Sequence, residues 1–338
     1  MPAEVLGAED AAPKDSPGGL CYIERSQWAV ELDGYNRVNP NISVIIPHLN
    51  QHSALERLLR SLEVQAYGGA GFEIIVVDNG SAKPLPEACL ANPRVTVLHE
   101  NTPGPGPARN RGASVARGAI LAFIDADCIA DTSWIQAIAF HFQKPDSAAV
   151  IGGDVRIAPR DERLEPIEAY ESIFGYRFEL YIRRDKFAGT GNLAMRRGVF
   201  DTVGPFAGIN IAEDRDWGQR AARAGFPPAY VAEMIIYTEA RQTFSELARK
   251  WDRHIAHDFA AVRGLKGKLA WALRIGALAV SPIVEIPRVA TSPRIHGARV
   301  RLVAWGFLVR IRLYRSRRMF QLLVGANPAD MALRWHKD

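Results

Sequence analysis

Residues 119–127 read AILAFIDAD, six apolar residues followed by two aspartates that flank one alanine. A short apolar run of this kind is typical of a strand buried in a sheet. Side chains at positions i and i+2 of an extended segment project to the same side. Asp125 and Asp127 can therefore address one hard cation, Mg²⁺ or Mn²⁺, which would neutralise charge on a departing phosphate. A solvated turn after a strand is the alternative interpretation.

The chain before this motif alternates between strand and helix patterns. Apolar, β-branched runs predict strands over residues 42–46, 73–77, 95–98 and 119–124. Leucines at helical spacing predict a helix over 53–65 with Ser53 as its cap, and a second helix follows from about 108 to 117. This alternation predicts an α/β fold with right-handed crossovers and a mostly parallel sheet. Polar residues follow the strands, and the strand ends of such a sheet are where ligands bind.

Three further segments carry residues suited to chemistry. The run EDRDW, residues 213–217, could supply a general base for an alcohol, or could be an acidic first turn of a solvated helix. The loop TPGPGPARN, residues 102–110, could place backbone N–H groups and Arg109 against phosphate, although a rigid connector is the simpler interpretation. In GTGN, residues 189–192, two glycines permit close backbone approach to a ligand.

Composition excludes several classes of protein. Of the 338 residues, 48% are hydrophobic and 23% charged, which is ordinary for a globular chain and excludes global disorder. The three cysteines form no C-x-x-C pair, so we expect neither a disulfide framework nor a structural zinc site, and Cys128 is expected to be a buried thiol. Residues 1–20 lack signal-peptide features and are expected to form a flexible leader.

Together these stretches resemble the family 2 glycosyltransferases. The resemblance is carried by residues 43–50, 73–81, 106–110, 125–127, 191–192 and 213–217, whose order and spacing match the family across roughly residues 42–240. It implies a GT-A type, Rossmann-like, mostly parallel sheet flanked by helices. It also implies three parts: a leader and lead-in segment over 1–40, a catalytic domain over 41–240, and a basic amphipathic helical extension over 241–338.

The resemblance also implies a role for individual residues. Asp214 would be the catalytic base, and Asp125 and Asp127 would hold Mn²⁺ or Mg²⁺. The residues implied in binding the nucleotide-sugar are Pro47, Asn50, Asp78, Arg109, Asp125, Gly191, Asn192, Glu213 and Trp217. One base and no second nucleophile imply inversion at the anomeric carbon, with a UDP-sugar as the usual donor. Residues 249–251 only partly match the Gln-x-x-Arg-Trp motif of processive members, so transfer of a single sugar is expected.

The sequence departs from the family where related members often place a histidine after the last core strand. Thr238 occupies that position, so Glu239, His254 or His257 could complete the metal site instead. The departure leaves open an inactive, transferase-like binding module of a glycan assembly complex. A sugar nucleotidyltransferase is disfavoured, because residues 48–51, HLNQ, lack the glycine-rich basic loop expected after its first strand.

The basic C-terminal part suggests a membrane partner. From Arg241 onward the chain has 19 Lys/Arg and 6 Asp/Glu residues, which favours peripheral contact with an anionic membrane on the inner face of the plasma membrane. The acceptor would be a lipid-linked or cell-surface glycan, as in exopolysaccharide synthesis. Arginines interleaved with aliphatic residues disfavour nucleic acid. A helical subdomain packed on the core is the alternative. No membrane-spanning helix is expected, because the apolar run over 269–282 is short and contains Arg274.

Overall fold

The computed structural model describes residues 42–65, 71–86, 89, 92–161, 163–209 and 211–327. The leader and lead-in segment expected over residues 1–40 lie outside the described residues. The described residues all belong to one compact unit. The C-terminal helices therefore pack with the sheet domain instead of forming a separate body.

Eight strands form one mixed sheet in the order β3-β2-β1-β4-β7-β6-β8-β5. Their bounds are β1 Ile42–His48, β2 Glu73–Asp78, β3 Val95–His99, β4 Ile120–Ile124, β5 Cys128–Ala130, β6 Val150–Ala158, β7 Asn192–Arg196 and β8 Ala229–Glu239. The first four strands are parallel neighbours, which confirms the α/β fold predicted from the apolar runs. Strand β7 pairs antiparallel with both β4 and β6, and β5 pairs antiparallel with β8.

Ten labelled helices accompany the sheet within the described part of the chain. They are α1 His52–Glu63, α2 Pro105–Val115, α3 Trp134–Gln143, α4 Pro166–Phe174, α5 Arg197–Val203, α6 Glu213–Arg223, α7 Phe244–Ala260, α8 Gly264–Val284, α9 Ile286–Thr291 and α10 Ala298–Leu323. A helical turn, Phe178–Leu180, continues as a π-helical turn, Tyr181–Asp185. Helix α1 begins one residue before Ser53 and has no side-chain cap, so the predicted cap is wrong.

The core forms on both faces of the sheet because strand side chains alternate between them. Ile42, Val44 and Ile46 pack with α1 and α3, whereas Ile45 faces α2 and α6. All four side chains are completely buried. Helix α2 lies close against β1 and β2, because a Cβ on Gly112 would come within 2.5 Å of Ile45. The ends of β1, β2 and β4 are thus fixed by packing from both sides.

The C-terminal helices share a second core with α4. Tyr170 and Phe174 of α4 pack with Phe307 and Ile311 of α10, and Leu247 of α7 joins them. The described chain after residue 240 is largely helical, as predicted, and this cluster shows how those helices attach to the sheet domain. Removing them would expose a sizeable apolar surface.

Helix α8 is longer than the sequence predicts because it runs through Pro282. Proline has no N–H for the carbonyl of Leu278, four residues earlier. The Ser281 hydroxyl donates to that carbonyl at 2.7 Å instead. The segment Gly264–Thr291 is long and apolar enough to cross a membrane by length and composition, and only 11% of its most apolar window is buried. The premise that this stretch is too short is therefore wrong.

Three arginines of α10 contact side chains of α7, whereas Arg299 and Arg317 of the same helix are exposed. Arg318 pairs with the buried carboxylate of Asp252 at 3.0 Å. The guanidinium of Arg310 lies 4.0 Å from the ring centre of Phe244, and that of Arg315 lies 3.4 Å from the ring centre of Trp251. These contacts draw three arginines toward α7, because a guanidinium stacks favourably on an aromatic face.

Candidate active site

The ends of β1 and β2 form a partly buried polar patch. His48 pairs in register with Asp78, and its Nε2 lies 4.0 Å from Asp78 Oδ1. Both ring nitrogens of His48 and Oδ1 of Asp78 are buried without a hydrogen-bond partner. Burial lowers the pKa of His48, and the nearby Asp78 carboxylate partly opposes that effect. Buried polar atoms without partners are uncommon, so this patch is suited to a polar ligand such as a nucleotide base.

Two asparagines shape the loops around this patch. Asn79 donates to the carbonyls of Glu100 and Thr102 and accepts from the N–H of Gly104 at 2.7 Å. Asn50, in the left-handed region at φ 55°, accepts from the Ala82 N–H at 2.8 Å. The predicted ligand Asn50 therefore holds a neighbouring loop. Asn79 also has a structural role, and its position directly after β2 is the feature of the sequence that points to it.

Arg109 links two acidic segments that are far apart in the sequence. Its side chain is 3% exposed and donates to Asp125 Oδ1 at 2.6 Å and to Glu213 Oε1 at 2.9 Å. Helix α2 presents this arginine because Gly106 lies against the Ala207 carbonyl, where a Cβ would come within 2.0 Å. The structure thus brings together the acidic motif after β4 and the start of α6, as the joint motif match predicts.

Gly191 and Asn192 support the same region in different ways. A Cβ on Gly191 would lie 2.7 Å from Asp125 Oδ2, so only glycine leaves that carboxylate in place. The Asn192 side chain is completely buried, donates to the carbonyls of Asp154 and Met234, and accepts from the Trp134 indole. Its hydrogen-bonding capacity is filled by protein groups. Asn192 therefore holds the backbone next to Gly191 and does not contact a nucleotide-sugar.

The environment of the Asp127 carboxylate suits a bound divalent cation. The Asp127 side chain is exposed, and the Cys128 thiol donates to its Oδ1 over a long 3.8 Å contact. Partial desolvation raises the pKa of Asp127, and the neighbouring carboxylates Asp125 and Glu239 raise it further. A carboxylate in a negative environment without a cationic partner fits Mg²⁺ or Mn²⁺.

The third protein ligand expected for such an ion is not assembled among the described residues, which contain no group of three potential metal-binding side chains. Thr238 is buried and pairs in register with Cys128. Glu239 lies close enough to affect Asp127 but pairs with Arg57 at 2.8 Å. His254 packs against the Trp251 ring, and its electrostatic neighbours are on α7 and α10. The side chain of His257 lies outside the described structure.

Helix α6 places Asp214 beside this acidic group. Asp214 is half-buried and accepts from the backbone N–H of Arg215 at 2.6 Å. Burial raises its pKa above the ordinary range, and the Glu213 carboxylate adds to that effect. Trp217 on the same helix is 1% exposed and donates to the Gly204 carbonyl. Its indole lies in the core, so the geometry does not support direct contact with a donor.

Cys128 is buried, as its position predicts. Burial and the neighbouring aspartates raise the pKa of its thiol well above the ordinary value. A thiol in that environment stays protonated, which excludes it as a nucleophile at neutral pH.

Comparison with known sequences identifies the family. Residues 43–209 match the family described as Glycosyl transferase family 2. Glycosyltransferase AglE of Haloferax volcanii is 31% identical over 217 residues, which cover 62% of this chain and 70% of AglE. The pre-mycofactocin glycosyltransferase of Mycobacterium tuberculosis is 33% identical over 136 residues, but that alignment covers only 39% of this chain and 27% of the relative.

Among solved structures, a mannosyltransferase from Pyrobaculum calidifontis, PcManGT, in complex with GDP-Man and Mn²⁺ covers 89% of this chain and 89% of its own, with a TM-score of 0.51. At 18% sequence identity this likeness concerns the fold alone. It extends beyond the family match, so the arrangement of the C-terminal region contributes to it.

Proposed function

The chain is a member of the family 2 glycosyltransferases, and we propose that it moves one sugar from a nucleotide diphosphate sugar to an acceptor hydroxyl with inversion at the anomeric carbon. The observation that carries this proposal is the Arg109 bridge between Asp125 and Glu213. It keeps the acidic pair after β4 next to Asp214, the half-buried carboxylate on α6.

Asp214 is the proposed base. As the acceptor oxygen forms its bond to the anomeric carbon, its proton passes to the Asp214 carboxylate, and the bond from that carbon to the diphosphate oxygen breaks. The raised pKa of Asp214 supports this role, because a base with a higher pKa accepts a proton more readily near neutral pH. No second carboxylate nucleophile is invoked, so a single displacement inverts the centre.

The donor is proposed to bind across the ends of β1, β2 and β4. The nucleotide base would border Asp78 at the end of β2, and Asp125 with Asp127 would hold Mn²⁺ or Mg²⁺. When bound, the ion neutralises negative charge on the leaving diphosphate. Asp127 is the ligand most free to take part, since Asp125 already accepts from Arg109.

Nucleotide binding tests this assignment directly. UDP and GDP are titrated into the purified protein by calorimetry, with and without Mn²⁺, and GDP is included because the related mannosyltransferase structure holds GDP-Man. We expect binding of one nucleotide to strengthen with Mn²⁺ and that gain to disappear in Asp127→Ala. Failure of a folded protein to bind either nucleotide would refute the proposed donor class.

We further propose that the enzyme docks on the cytoplasmic face of an anionic membrane, where it glycosylates a lipid-linked or cell-surface glycan acceptor. Helix α8 supports this proposal through an exposed apolar stripe at helical spacing. The stripe consists of Leu265, Leu269, Leu273, Val280, Ile283 and Val284, each more than half exposed. Exposed Lys266 and Lys268 lie at one end of it, and each basic residue near anionic lipid contributes about 1 kcal/mol.

The opposite face of α8 argues for in-plane docking. Trp271 is buried there and donates to the Met319 carbonyl of α10, and the carbonyl of Ile275 accepts from Ser316. A helix held by protein along one side and apolar along the other suits the membrane interface, where one face enters the lipid. The length of α8 alone would also permit a span, but spanning would separate these packed faces.

A further inference from the structure

Three basic side chains converge between α7 and α10, and none of them forms an ion pair with a carboxylate of the described residues. The Lys250 ammonium lies 5.8 Å from the centre of the Tyr176 ring and 6.0 Å from the centre of the Trp251 ring. The Arg315 guanidinium stacks on the same Trp251 ring, 3.4 Å from its centre. Arg312 lies one helical turn before Arg315, so the two project from the same face of α10. The Nε atoms of Arg312 and Arg315 are buried without a hydrogen-bond partner. We call Lys250, Arg312 and Arg315 the basic cluster.

The carboxylates around the basic cluster are occupied by other arginines. Within the described structure, Glu171 pairs with Arg241, Asp252 with Arg318, Asp258 with Arg274 and Glu285 with Arg288. No described carboxylate forms an ion pair with a member of the cluster. Like charges at this spacing on a helix repel one another, so the arrangement is unfavourable unless an anion joins it.

The titration behaviour of the cluster agrees with that geometry. Burial, followed by the nearby Arg241, lowers the pKa of Lys250 to about 8. Burial, followed by Arg312, lowers the pKa of Arg315 to about 10. Both changes have the same physical cause, which is positive charge held away from solvent among other positive charges. An anion bound there would offset this positive charge and stabilise the charged forms of both side chains.

The basic cluster is adjacent to the candidate active site. The Tyr176 ring centre lies 5.8 Å from the Lys250 ammonium, and the same ring packs against the core cluster that contains Ala126 and Cys128, the two neighbours of Asp127 in the sequence. The cluster is built on α7 and α10, both outside the family match over residues 43–209. Tyr176 thus lies between the basic cluster and the acidic motif, and the cluster shares no residue with the patch at His48 and Asp78.

We propose that the basic cluster binds a phosphate or diphosphate group carried by the acceptor. The inference rests on the proposed transferase function and specifies its acceptor as a phosphorylated amphiphile. Charge-assisted hydrogen bonds from arginine suit phosphate oxygens. Helix α8, with its apolar stripe, packs on α10, so the same helical layer offers cations to the phosphate and an apolar surface toward lipid. The acceptor hydroxyl would then lie toward Asp127 and Asp214.

Calorimetry on the full chain in EDTA tests the cluster without the metal-dependent donor site. The probes are inorganic pyrophosphate and farnesyl diphosphate, and the variant is Arg312→Gln with Arg315→Gln. We expect the variant to weaken binding of both probes by about tenfold or more, because each charged hydrogen bond is worth about 1.5–3 kcal/mol. The matched control, Arg299→Gln with Arg317→Gln, removes two exposed arginines from the same helix and should change affinity less than about twofold.

Other outcomes overturn parts of the proposal. Unchanged probe affinity in the double variant, or loss of affinity in Asp127→Ala instead, would remove the basic cluster as the site. Equal affinity for pyrophosphate and farnesyl diphosphate would overturn the assignment to a lipid-borne phosphate. If the double variant unfolds, Lys250→Met takes its place. This substitution removes the charge and introduces no hydrogen-bonding group, and it must show the same loss of probe affinity. Mn²⁺-dependent UDP or GDP binding is measured in parallel, so failure of the donor site is distinguished from failure of the cluster.

Discussion

Replacing Gly191 by alanine should displace Asp125 and disturb the Arg109 bridge. The added Cβ would lie 2.7 Å from Asp125 Oδ2, whereas carbon and oxygen atoms in ordinary contact are well over 3 Å apart. Overpacking of this kind costs about 1–3 kcal/mol, and the lower half of that range applies because the contacted atom ends a side chain that is 39% exposed. A loss of about 1–2 kcal/mol lowers the melting temperature of a unit of this size by roughly 1.5–3 °C, which differential scanning calorimetry resolves.

A matched glycine and a double-mutant cycle make this prediction decisive. Gly198, inside α5, has no atom within 4 Å of an added Cβ, so Gly198→Ala should raise stability by about 0.5–1 kcal/mol. In an Asp125→Ala background the contacted oxygen is gone, so Gly191→Ala should then have little effect on stability. An equal loss of stability with and without Asp125 would refute the proposed contact.

Two further predictions concern the base and the membrane. Asp214→Asn should keep Mn²⁺-dependent nucleotide binding and lose about 10²–10⁴-fold in kcat, and the wild-type rate should fall as the pH drops through the raised pKa of Asp214. Because the folded-state pKa of Asp214 lies above its unfolded value, the ionised carboxylate destabilises the fold at neutral pH. Asp214→Asn should therefore melt at a higher temperature than the wild type at pH 7, and this difference in melting temperature should vanish at acidic pH. Sugar transfer by the variant at the wild-type rate would show that Asp214 is not the base. Leu269→Ser with Leu273→Ser should weaken cosedimentation with phosphatidylglycerol-containing liposomes, whereas Leu302→Ser, which removes an exposed leucine from α10, should not. Equal liposome binding by the wild type, the double variant and Leu302→Ser would exclude the α8 stripe as the docking surface.

The sequence predicted those elements whose burial is written in adjacent residues. Strands β1, β2 and β4 are continuous apolar runs, and all of their branched side chains lie in the core. Strand β5 is three residues long and pairs with residues more than a hundred positions away, so no local pattern announces it. The same limit applies to β7, whose antiparallel pairing depends on the surrounding sheet.

Site residues follow a similar division. The family resemblance implied that Arg109, Asp125 and Glu213 belong to one site, and the structure brings them within hydrogen-bonding distance. The burial of Asn192 and Trp217 could not be predicted, because a polar or amphipathic side chain has the same letter whether its partners are protein or ligand. For the basic C-terminal part, the sequence favoured contact with an anionic membrane, with a helical subdomain packed on the core as the alternative. The partners of the α10 arginines, such as Trp251 and Asp252, lie on α7 some sixty residues earlier.

The position of β5 has a consequence for synthesis of the enzyme on the ribosome. Strands β4 and β5 flank the Asp125–Asp127 motif in sequence but are separated in the sheet by β7, β6 and β8. The partner of Cys128 is Thr238, so the ribosome must add 110 further residues before β5 can pair. At about 5–20 residues per second this takes roughly 5–20 s. During that interval the nascent chain holds the strand before the motif but not the paired strand after it, so the acidic centre is completed only after Thr238 has been synthesised.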